Sequence, residues 1–239
     1  MYTKKIVDVQ GSPMDVLLFE PKVNGPFPGI MAAQHLPISH EDLEIDPFTI
    51  DVGDRLAAAG YAVAIPHMFH WWPRKADPAV KREGFRDDWA VADMRAATAQ
   101  LVGNKKVDNN RLGILGHCWG GRMSWLGACH MPEFKAAAML YGGRIKTGMG
   151  SGSPPTIDLA PRMRCSMLGI FGKDDANPSP DDVKDLDAAL TKAGIPHEFH
   201  SYDGAGHGFQ DFHNPERYRK AASDDAWTKV IGFFDRTLK

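Results

Sequence analysis

Short apolar runs alternate with longer segments of helical periodicity along this chain, and this alternation constrains the fold more than any other feature. The runs predicted as strands are FPGIMAA at 27–33, YAVAIP at 61–66, and residues 111–115, 136–141, 166–171 and 198–202. The segments predicted as helices are residues 48–59, 87–102, 121–129, 180–193 and 215–238. Elements that alternate in this way build a mostly parallel sheet with helices on both faces. The sequence therefore predicts a fold of the α/β class.

The segments outside this alternation complete the predicted layout. Residues 5–9 and 16–20 are predicted as an antiparallel pair of strands with a turn at Gly11-Ser12-Pro13. A stretch rich in glycine, serine and proline at 142–161 is predicted as a mobile loop or an active-site flap. No linker, internal repeat or shift in composition divides the chain, so we expect residues 1–239 to form a single domain.

Charge and cysteine content exclude several kinds of partner. The 239 residues carry a net charge of −2 and no block of basic residues, which argues against nucleic acid or an anionic membrane as a partner. No run approaches the roughly 18 apolar residues of a membrane-spanning helix. Three cysteines are too few, and odd in number, for a disulfide framework. We therefore expect a cytoplasmic protein, monomeric or weakly self-associating, that acts on a small molecule.

Cys118 is the candidate nucleophile because it lies in a glycine-rich turn between a predicted strand and a predicted helix. The strand at 111–115 is followed by Gly116-His117-Cys118-Trp119-Gly120-Gly121, a G-x-C-x-G pattern. Small flanking residues allow the sharp turn that raises a nucleophile above a sheet. The helix N-terminus favours negative charge and offers the Trp119 backbone N–H to an oxyanion. The alternative is that Cys118 is a small buried apolar residue, which is the interpretation we give to Cys129 and Cys165.

A cysteine nucleophile needs a base and a carboxylate that orients the base. Two later predicted strands are each followed by a suitable loop, Gly172-Lys173-Asp174-Asp175 and Asp203-Gly204-Ala205-Gly206-His207. The order Cys118, Asp175, His207 is the order found in α/β-hydrolases. Asp174 competes with Asp175, and we favour Asp175 because it lies deeper in its turn. The alternatives are an Asx turn for the aspartate and an exposed loop histidine for His207.

No motif in the sequence predicts a cofactor or a metal. His67/His70 and His197/His200 have H-x-x-H spacing, but in an extended strand this spacing directs the two side chains to opposite faces. No cysteine or carboxylate cluster completes a ligand set. The glycine-rich stretch at 148–153 lacks the residues of a phosphate-binding loop or a dinucleotide fold.

Three motifs together resemble the dienelactone hydrolases, also called carboxymethylenebutenolidases, of the α/β-hydrolase superfamily. They are GILGHCWGGR at 113–122, FGKDDANPSP at 171–180 and EFHSYDGAGHGF at 198–209. The resemblance implies an α/β-hydrolase fold and the opening of an ester or lactone. It also implies a catalytic triad of Cys118, Asp175 and His207. The implied oxyanion donors are the backbone N–H groups of Trp119 and Leu36.

The chain departs from that family at two positions. His35 stands where dienelactone hydrolases carry a glutamate that interacts with the resting thiol, and we expect His35 to modulate the Cys118 thiol. A protonated His35 would favour the thiolate, and a neutral one could accept the thiol proton. The alternative is that His35 turns away and binds a loop carbonyl. Asp211 stands where the family has an arginine for the substrate carboxylate, which argues against an acidic substrate.

Aromatic residues suggest what else the site contains. We predict that the substrate pocket is lined by His70, Trp71, Trp72 and Phe209. The alternative for the 67–72 segment is the packing of a large loop.

The function predicted from the sequence is hydrolysis of an ester or lactone through a Cys118 acyl-enzyme. Rival interpretations are a broader carboxylesterase or thioesterase, a non-catalytic binding protein that retains the fold, and a thiol redox sensor. No second cysteine lies near Cys118 in the sequence to resolve an oxidised thiol, so the redox sensor ranks last.

Overall fold

A computed structural model describes residues 1–36 and 44–239 of the chain. Its strands are β1 (Tyr2–Val9), β2 (Ser12–Phe19), β3 (Phe27–Ala33), β4 (Ala62–Pro66), β5 (Val107–His117), β6 (Phe134–Leu140), β7 (Ser166–Gly172) and β8 (His197–Tyr202). Its α-helices are α1 (Pro47–Ala58), α2 (Pro78–Gly84), α3 (Asp87–Val102), α4 (Trp119–His130), α5 (Pro180–Ala193) and α6 (Lys220–Leu238). A 3₁₀ helix covers Thr156–Arg162.

The strands of the described residues form one eight-stranded sheet in the order β1-β2-β4-β3-β5-β6-β7-β8. β2 pairs antiparallel with β1 and with β4, and the other neighbours are parallel. All seven residues of β3 are buried, as expected for a strand inside a parallel sheet that is covered on both faces. The predicted α/β class and mostly parallel sheet are confirmed.

Helices cover the two faces of the sheet and bury two apolar clusters. One face packs against α3, α4 and α5, where Met94 and Trp125 are fully buried. The other face packs against α1 and α6, where Phe48 and Phe234 are almost or fully buried. Each such side chain contributes roughly 1.5–3 kcal/mol relative to an exposed one. The strands between the two layers are therefore held rigidly.

Capping residues explain where two of the helices begin and end. The Asp46 side chain accepts a hydrogen bond from the Thr49 N–H and so caps α1. Ser179 and Asp182 form a reciprocal capping box at the start of α5. That helix ends at Gly194, whose φ of 69° is the left-handed conformation that glycine adopts without cost.

Most predicted elements are confirmed, and the differences have local causes. The bounds of α3 and α5 are those predicted from the sequence. The hairpin turn lies at Gln10-Gly11, both with positive φ, rather than at Gly11-Ser12-Pro13. The last helix begins at Lys220 instead of residue 215, because residues 215–217 form turns.

The sequence did not predict two short helices. α2 has no apolar face to produce a helical period, and its buried residue is Lys81. The 3₁₀ helix lies in the segment 142–161, which was predicted as a mobile loop or flap. Arg122 on α4 donates a hydrogen bond to the carbonyl oxygen of Thr147 in that segment. The segment is therefore tied to the helices beneath it.

The carboxyl ends of the parallel strands meet at one edge of the sheet. The residues that follow β3, β5, β6, β7 and β8 begin with Gln34, Cys118, Tyr141, Lys173 and Asp203. Ligands of open α/β sheets bind at this edge.

No helix of residues 1–36 and 44–239 is both long and apolar enough to span a lipid bilayer.

Candidate active site

Cys118 occupies a strained turn between β5 and α4. Its φ of 57° and ψ of −122° are unfavourable for a residue with a side chain. The flanking glycines permit the turn, because a Cβ atom on Gly116 would lie 2.0 Å from the carbonyl oxygen of Gly120. A Cβ atom on Gly120 would lie 2.6 Å from the carbonyl oxygen of Ala33 on β3. The G-x-C-x-G pattern therefore has a steric cause, which is the close approach of three backbone segments.

Cys118, His207 and Asp175 form a continuous chain of contacts. Nε2 of His207 lies 3.0 Å from the Sγ of Cys118, and Nδ1 lies 2.8 Å from an Oδ of Asp175. The other carboxylate oxygen of Asp175 accepts a hydrogen bond of 2.8 Å from the Asn177 N–H. Asp175 is buried, and the His207 side chain is 31% exposed. The fold thus brings together three residues from loops that are far apart in the sequence.

The competing aspartate, Asp174, does not reach the imidazole. Asp174 is exposed, and its backbone N–H donates to the carbonyl oxygen of Ala205. The carboxylate in contact with His207 is that of Asp175.

Electrostatics favour an ion pair of thiolate and imidazolium. Burial raises the pKa of the Cys118 thiol, but hydrogen bonds with His207 and His35 outweigh burial and lower this pKa to about 6. Burial lowers the pKa of His207, but hydrogen bonds with Asp175 and Cys118 raise it to about 10. Near neutral pH the sulfur is therefore negative and His207 is positive.

His35 lies at the same cavity as the thiol and is supported by a carboxylate of its own. Its Nδ1 lies 3.4 Å from an Oδ of Asp46, and His35 lines the same cavity as Cys118 and His207. Burial lowers the pKa of His35, but the hydrogen bonds with Asp46 and Cys118 raise it to about 9. Among the described residues, the Nδ1 of His35 therefore pairs with the Asp46 carboxylate at the cavity that Cys118 lines.

A small cavity adjoins Cys118 at the N-terminus of α4. Its volume is about 160 Å³, and Cys118, His207, Trp119 and Leu36 all line it. Trp119 is the first residue of α4, so its N–H has no acceptor within the helix. Both sequence-predicted oxyanion donors are therefore beside the thiol.

Three arginines also line this small cavity, namely Arg82, Arg122 and Arg144. Arg122 is buried and is held by Asp87 through contacts of 2.5 and 3.1 Å. Arg144 is exposed, and its backbone N–H is fixed by a hydrogen bond of 2.9 Å to the Asn177 side chain. Arg82 and Arg144 are therefore the exposed arginines of this cavity.

A larger cavity of about 620 Å³ also reaches Cys118 and His207. Its polar residues include Asp46, Asp211 and Glu216, and Phe48 contributes an apolar surface. Both cavities therefore have access to the thiol.

The structure places His70, Trp71 and Trp72, which are predicted to line the substrate pocket, in the packing of their own loop. His70 contacts Asp93 at 2.9 Å, and Trp71 stacks on Trp89 with ring centroids 4.8 Å apart. Trp72 packs against Phe85 and the same tryptophan. These side chains line neither cavity at Cys118, because hydrogen bonds and stacking fix them in the packing of the loop.

Phe209, also predicted as a pocket residue, lies in the packed interior next to the loop of His207. Its side chain is fully buried and packs on Tyr141 and Tyr202, with ring centroids 5.6 and 5.4 Å away. The residue supports the loop that carries His207 from beneath.

The other two cysteines lie in surroundings that suppress ionisation. Cys129 and Cys165 are buried, and burial raises the pKa of each thiol to about 12. Both are free thiols, as is Cys118. Their setting agrees with the structural role predicted for them.

Sequence reasoning missed several residues of the site. In the sequence, Asp46 is recognisable only as a helix-capping residue, because it precedes a proline and a segment of helical periodicity. The arginines of the small cavity come from three separate segments that no motif connects. Tyr141 is buried, and its ring centroid lies 5.4 Å from that of His207. Nothing in the sequence marks this residue except its position directly after a strand.

The sheet order, the helices on both faces and the strained turn after β5 define the chain as an α/β-hydrolase. The profile of the dienelactone hydrolase family matches residues 14–238. The chain belongs to the dienelactone hydrolase family, and it is a hydrolase that acts on carboxylic esters or lactones.

Individual relatives agree with this assignment. A protein of Methylorubrum extorquens that carries the provisional name carboxymethylenebutenolidase is 30% identical over 224 residues, which cover 90% of this chain and 74% of that protein. The carboxymethylenebutenolidase of Rhodococcus opacus is 29% identical over 202 residues, covering 81% and 77% of the two chains. A solved structure from Klebsiella pneumoniae, provisionally named dienelactone hydrolase, superposes with a TM-score of 0.84 at 27% identity and covers 98% of each chain.

Proposed function

We propose that this hydrolase works through a thioester acyl-enzyme on Cys118, with His207 as the acid and base and Asp175 as its positioning residue. The observation that carries the proposal is the unbroken contact from Asp175 through His207 to a thiol in a strained turn. Three groups in this arrangement form the nucleophile, base and orienting carboxylate of covalent hydrolysis.

In the acylation step, the Cys118 thiolate attacks the carbonyl carbon and the carbonyl π electrons move to oxygen. The Trp119 and Leu36 N–H groups donate hydrogen bonds to this oxyanion. When the intermediate collapses, the C–O bond breaks and its electron pair leaves with the alkoxide oxygen. His207 donates its Nε2 proton to that oxygen. For a lactone the released hydroxyl stays attached to the acyl group, so the ring opens.

In the deacylation step, His207 is neutral and accepts a proton from a water molecule. The resulting hydroxide attacks the thioester carbon, and the second intermediate expels the Cys118 thiolate with the C–S electron pair. The product is a carboxylic acid, and the proton retained on His207 restores the resting ion pair.

The arginines of the small cavity favour a substrate with an anionic substituent. Arg144 and Arg82 are exposed there, whereas the buried Arg122 is paired with Asp87. A guanidinium binds a carboxylate through paired hydrogen bonds. The proposed substrate is therefore a small ester or lactone that bears a carboxylate, despite the loss of the family's arginine at Asp211.

The alternatives are a broader carboxylesterase or thioesterase, and a binding protein that retains the fold. The same triad would serve an esterase or thioesterase, so only turnover separates these from a lactone hydrolase. The larger cavity of about 620 Å³ supports acceptance of bulky groups. The ionised thiol counts against a purely binding role, because a binding site does not need a nucleophile.

Turnover of a small panel tests the proposal. Wild type, Cys118→Ala and Cys129→Ala are assayed on p-nitrophenyl acetate, a dienelactone and an acyl thioester. We expect the highest kcat/KM on the dienelactone, a loss of about 10³-fold or more in Cys118→Ala on every substrate, and near wild-type rates in Cys129→Ala. Full activity of Cys118→Ala would contradict the mechanism. Preference for the thioester would favour the thioesterase, and absence of turnover would favour the binding protein.

A further inference from the structure

Cys118 is the centre of a chain of five ionisable groups. On one branch, Asp175 contacts His207 and His207 contacts the sulfur, at 2.8 and 3.0 Å. On the other branch, Asp46 contacts His35 at 3.4 Å, and both residues line the cavity that Cys118 and His207 also line. The triad uses only the first branch, so the second histidine–carboxylate pair has no role in the proposed mechanism.

Hydrogen bonds at the start of α1 hold the second branch in place. Asp46 accepts hydrogen bonds of 3.1 Å from the Thr49 N–H and 2.6 Å from the Thr49 hydroxyl. The His35 backbone N–H donates to the same hydroxyl oxygen at 3.1 Å. The ring also packs on Phe48, with centroids 5.0 Å apart. His35 and Asp46 are both about 5% exposed. The start of α1 therefore fixes the imidazole and its carboxylate together.

We propose that His35 and Asp46 form a second histidine–carboxylate dyad that stabilises the Cys118 thiolate, above all when the thiolate leaves the acyl-enzyme. The proposal rests on the proposed function, because it assumes that Cys118 is acylated. Within it, Asp46 is a positioning residue that keeps the His35 proton directed at sulfur.

The chemistry of deacylation explains why a second imidazolium is useful. When the hydroxide adduct collapses, the C–S bond breaks and its electron pair moves to Sγ. His207 holds the proton taken from water at that moment, and His35 supplies a second N–H to the sulfur as negative charge develops. A thiol of lower pKa is a better leaving group. In acylation the same donor raises the thiolate fraction but reduces its intrinsic nucleophilicity, so its net effect there is smaller.

The charges around His35 are consistent with a cationic ring. Asp46 and the Cys118 thiolate face it directly, and both favour the protonated form. His117, which packs on Phe48 from β5, is held neutral because burial and then the His35 charge lower its pKa. His35, Asp46 and Cys118 all line the larger cavity, and its other titratable groups are His207, Asp211, His213, Glu216 and Arg217.

The test uses His35→Gln and Asp46→Asn, with His213→Gln as the matched control. His213 lines the same cavity and pairs with Asp51 at 2.8 Å, but it does not contact Cys118. Asparagine can still cap α1, so Asp46→Asn tests the carboxylate charge without removing the cap. Circular dichroism checks that each variant is folded.

The first readout is the pH dependence of Cys118 alkylation by iodoacetamide. The apparent thiol pKa should be about 6 in wild type and His213→Gln. It should rise by about one or more in His35→Gln, and by less in Asp46→Asn. The second readout is rapid-quench mass spectrometry with p-nitrophenyl acetate. Acetyl-Cys118 should accumulate in His35→Gln, because deacylation slows by about 3- to 30-fold while the initial burst is retained.

An unchanged thiol pKa in both variants, or a raised pKa without accumulation of acyl-enzyme, would overturn this inference. Either result leaves the proposed function standing if Cys118→Ala is inactive. Full activity of Cys118→Ala would instead refute the proposed function itself. If His35→Gln fails to fold, the same two readouts in Asp46→Asn decide.

Discussion

At the scale of single residues, the role of each ionisable group in the site depends on which partner it contacts. Asp175 and Asp174 are neighbours with the same side chain, yet only Asp175 is buried against His207. One oxygen of Asp175 receives the imidazole and the other receives a backbone N–H, so its orientation is fixed. We therefore expect substitutions at the two aspartates to have different effects on activity.

Asp175→Asn should lower kcat by about 10³-fold or more, because the amide cannot stabilise the His207 imidazolium and can favour the wrong tautomer. Asp174→Asn should leave kcat nearly unchanged, since its exposed side chain has no contact with the imidazole. Steady-state kinetics on p-nitrophenyl acetate, together with thermal melts, measure both effects. Equal losses in the two variants would contradict the assignment of the orienting carboxylate.

At the scale of elements, a buried ion pair connects α3, α4 and the loop beyond β6. Arg122 on α4 binds Asp87 on α3, and Asp87 accepts a hydrogen bond of 2.8 Å from the Met149 N–H. Arg122 also donates to the carbonyl oxygen of Thr147 at 2.8 Å. The pair therefore fixes the loop that carries Arg144 into the small cavity.

Arg122→Met should lower the free energy of unfolding by about 3–5 kcal/mol, because it leaves the Asp87 carboxylate buried without a partner. The double variant Arg122→Met/Asp87→Leu removes both charges and should recover part of that loss. Urea unfolding of the two variants and wild type makes the comparison. If the double variant is no more stable than Arg122→Met, an uncompensated charge is not the cause.

Elements with a strong period were predictable from the sequence, and elements without one were not. α3 and α5 have the predicted bounds because apolar periodicity, a capping residue or a final glycine marks them. α2 escaped prediction because its single buried residue is a lysine, Lys81, in contact with Glu44 at 2.9 Å. The sequence left two interpretations of the aromatic segment at 67–72 because it does not tell which side of a loop packs inward.

At the scale of the whole molecule, the sheet collects the site from segments that are distant in the chain. The motifs around Cys118, Asp175 and His207 were visible because each sits in a distinctive turn after a strand. Asp46, which contacts His35, could not be found in this way, because the two residues lie in separate loops and no motif connects them. Charge at the site therefore follows from the fold rather than from any one motif.

The ionisation of Cys118 and His207 predicts how activity depends on pH. The thiolate is the reactive form, and the pKa of Cys118 is lowered to about 6. As pH rises through about 6, kcat/KM should increase because the thiol loses its proton. It should fall again as pH passes about 10, where His207 loses the proton that the leaving group needs. A profile of kcat/KM against pH checks this, and an acid limb near the ordinary thiol pKa of about 8.5 would contradict it.

The central claim is that hydrolysis passes through an acyl group on Cys118. Its most direct test is rapid acid quenching of wild type during turnover of p-nitrophenyl acetate, followed by peptide mass spectrometry. We predict an acetyl group on the peptide that contains Cys118 and on neither Cys129 nor Cys165. Turnover at the full rate with no acetylated Cys118 at any quench time, in wild type and in His35→Gln alike, would contradict the account.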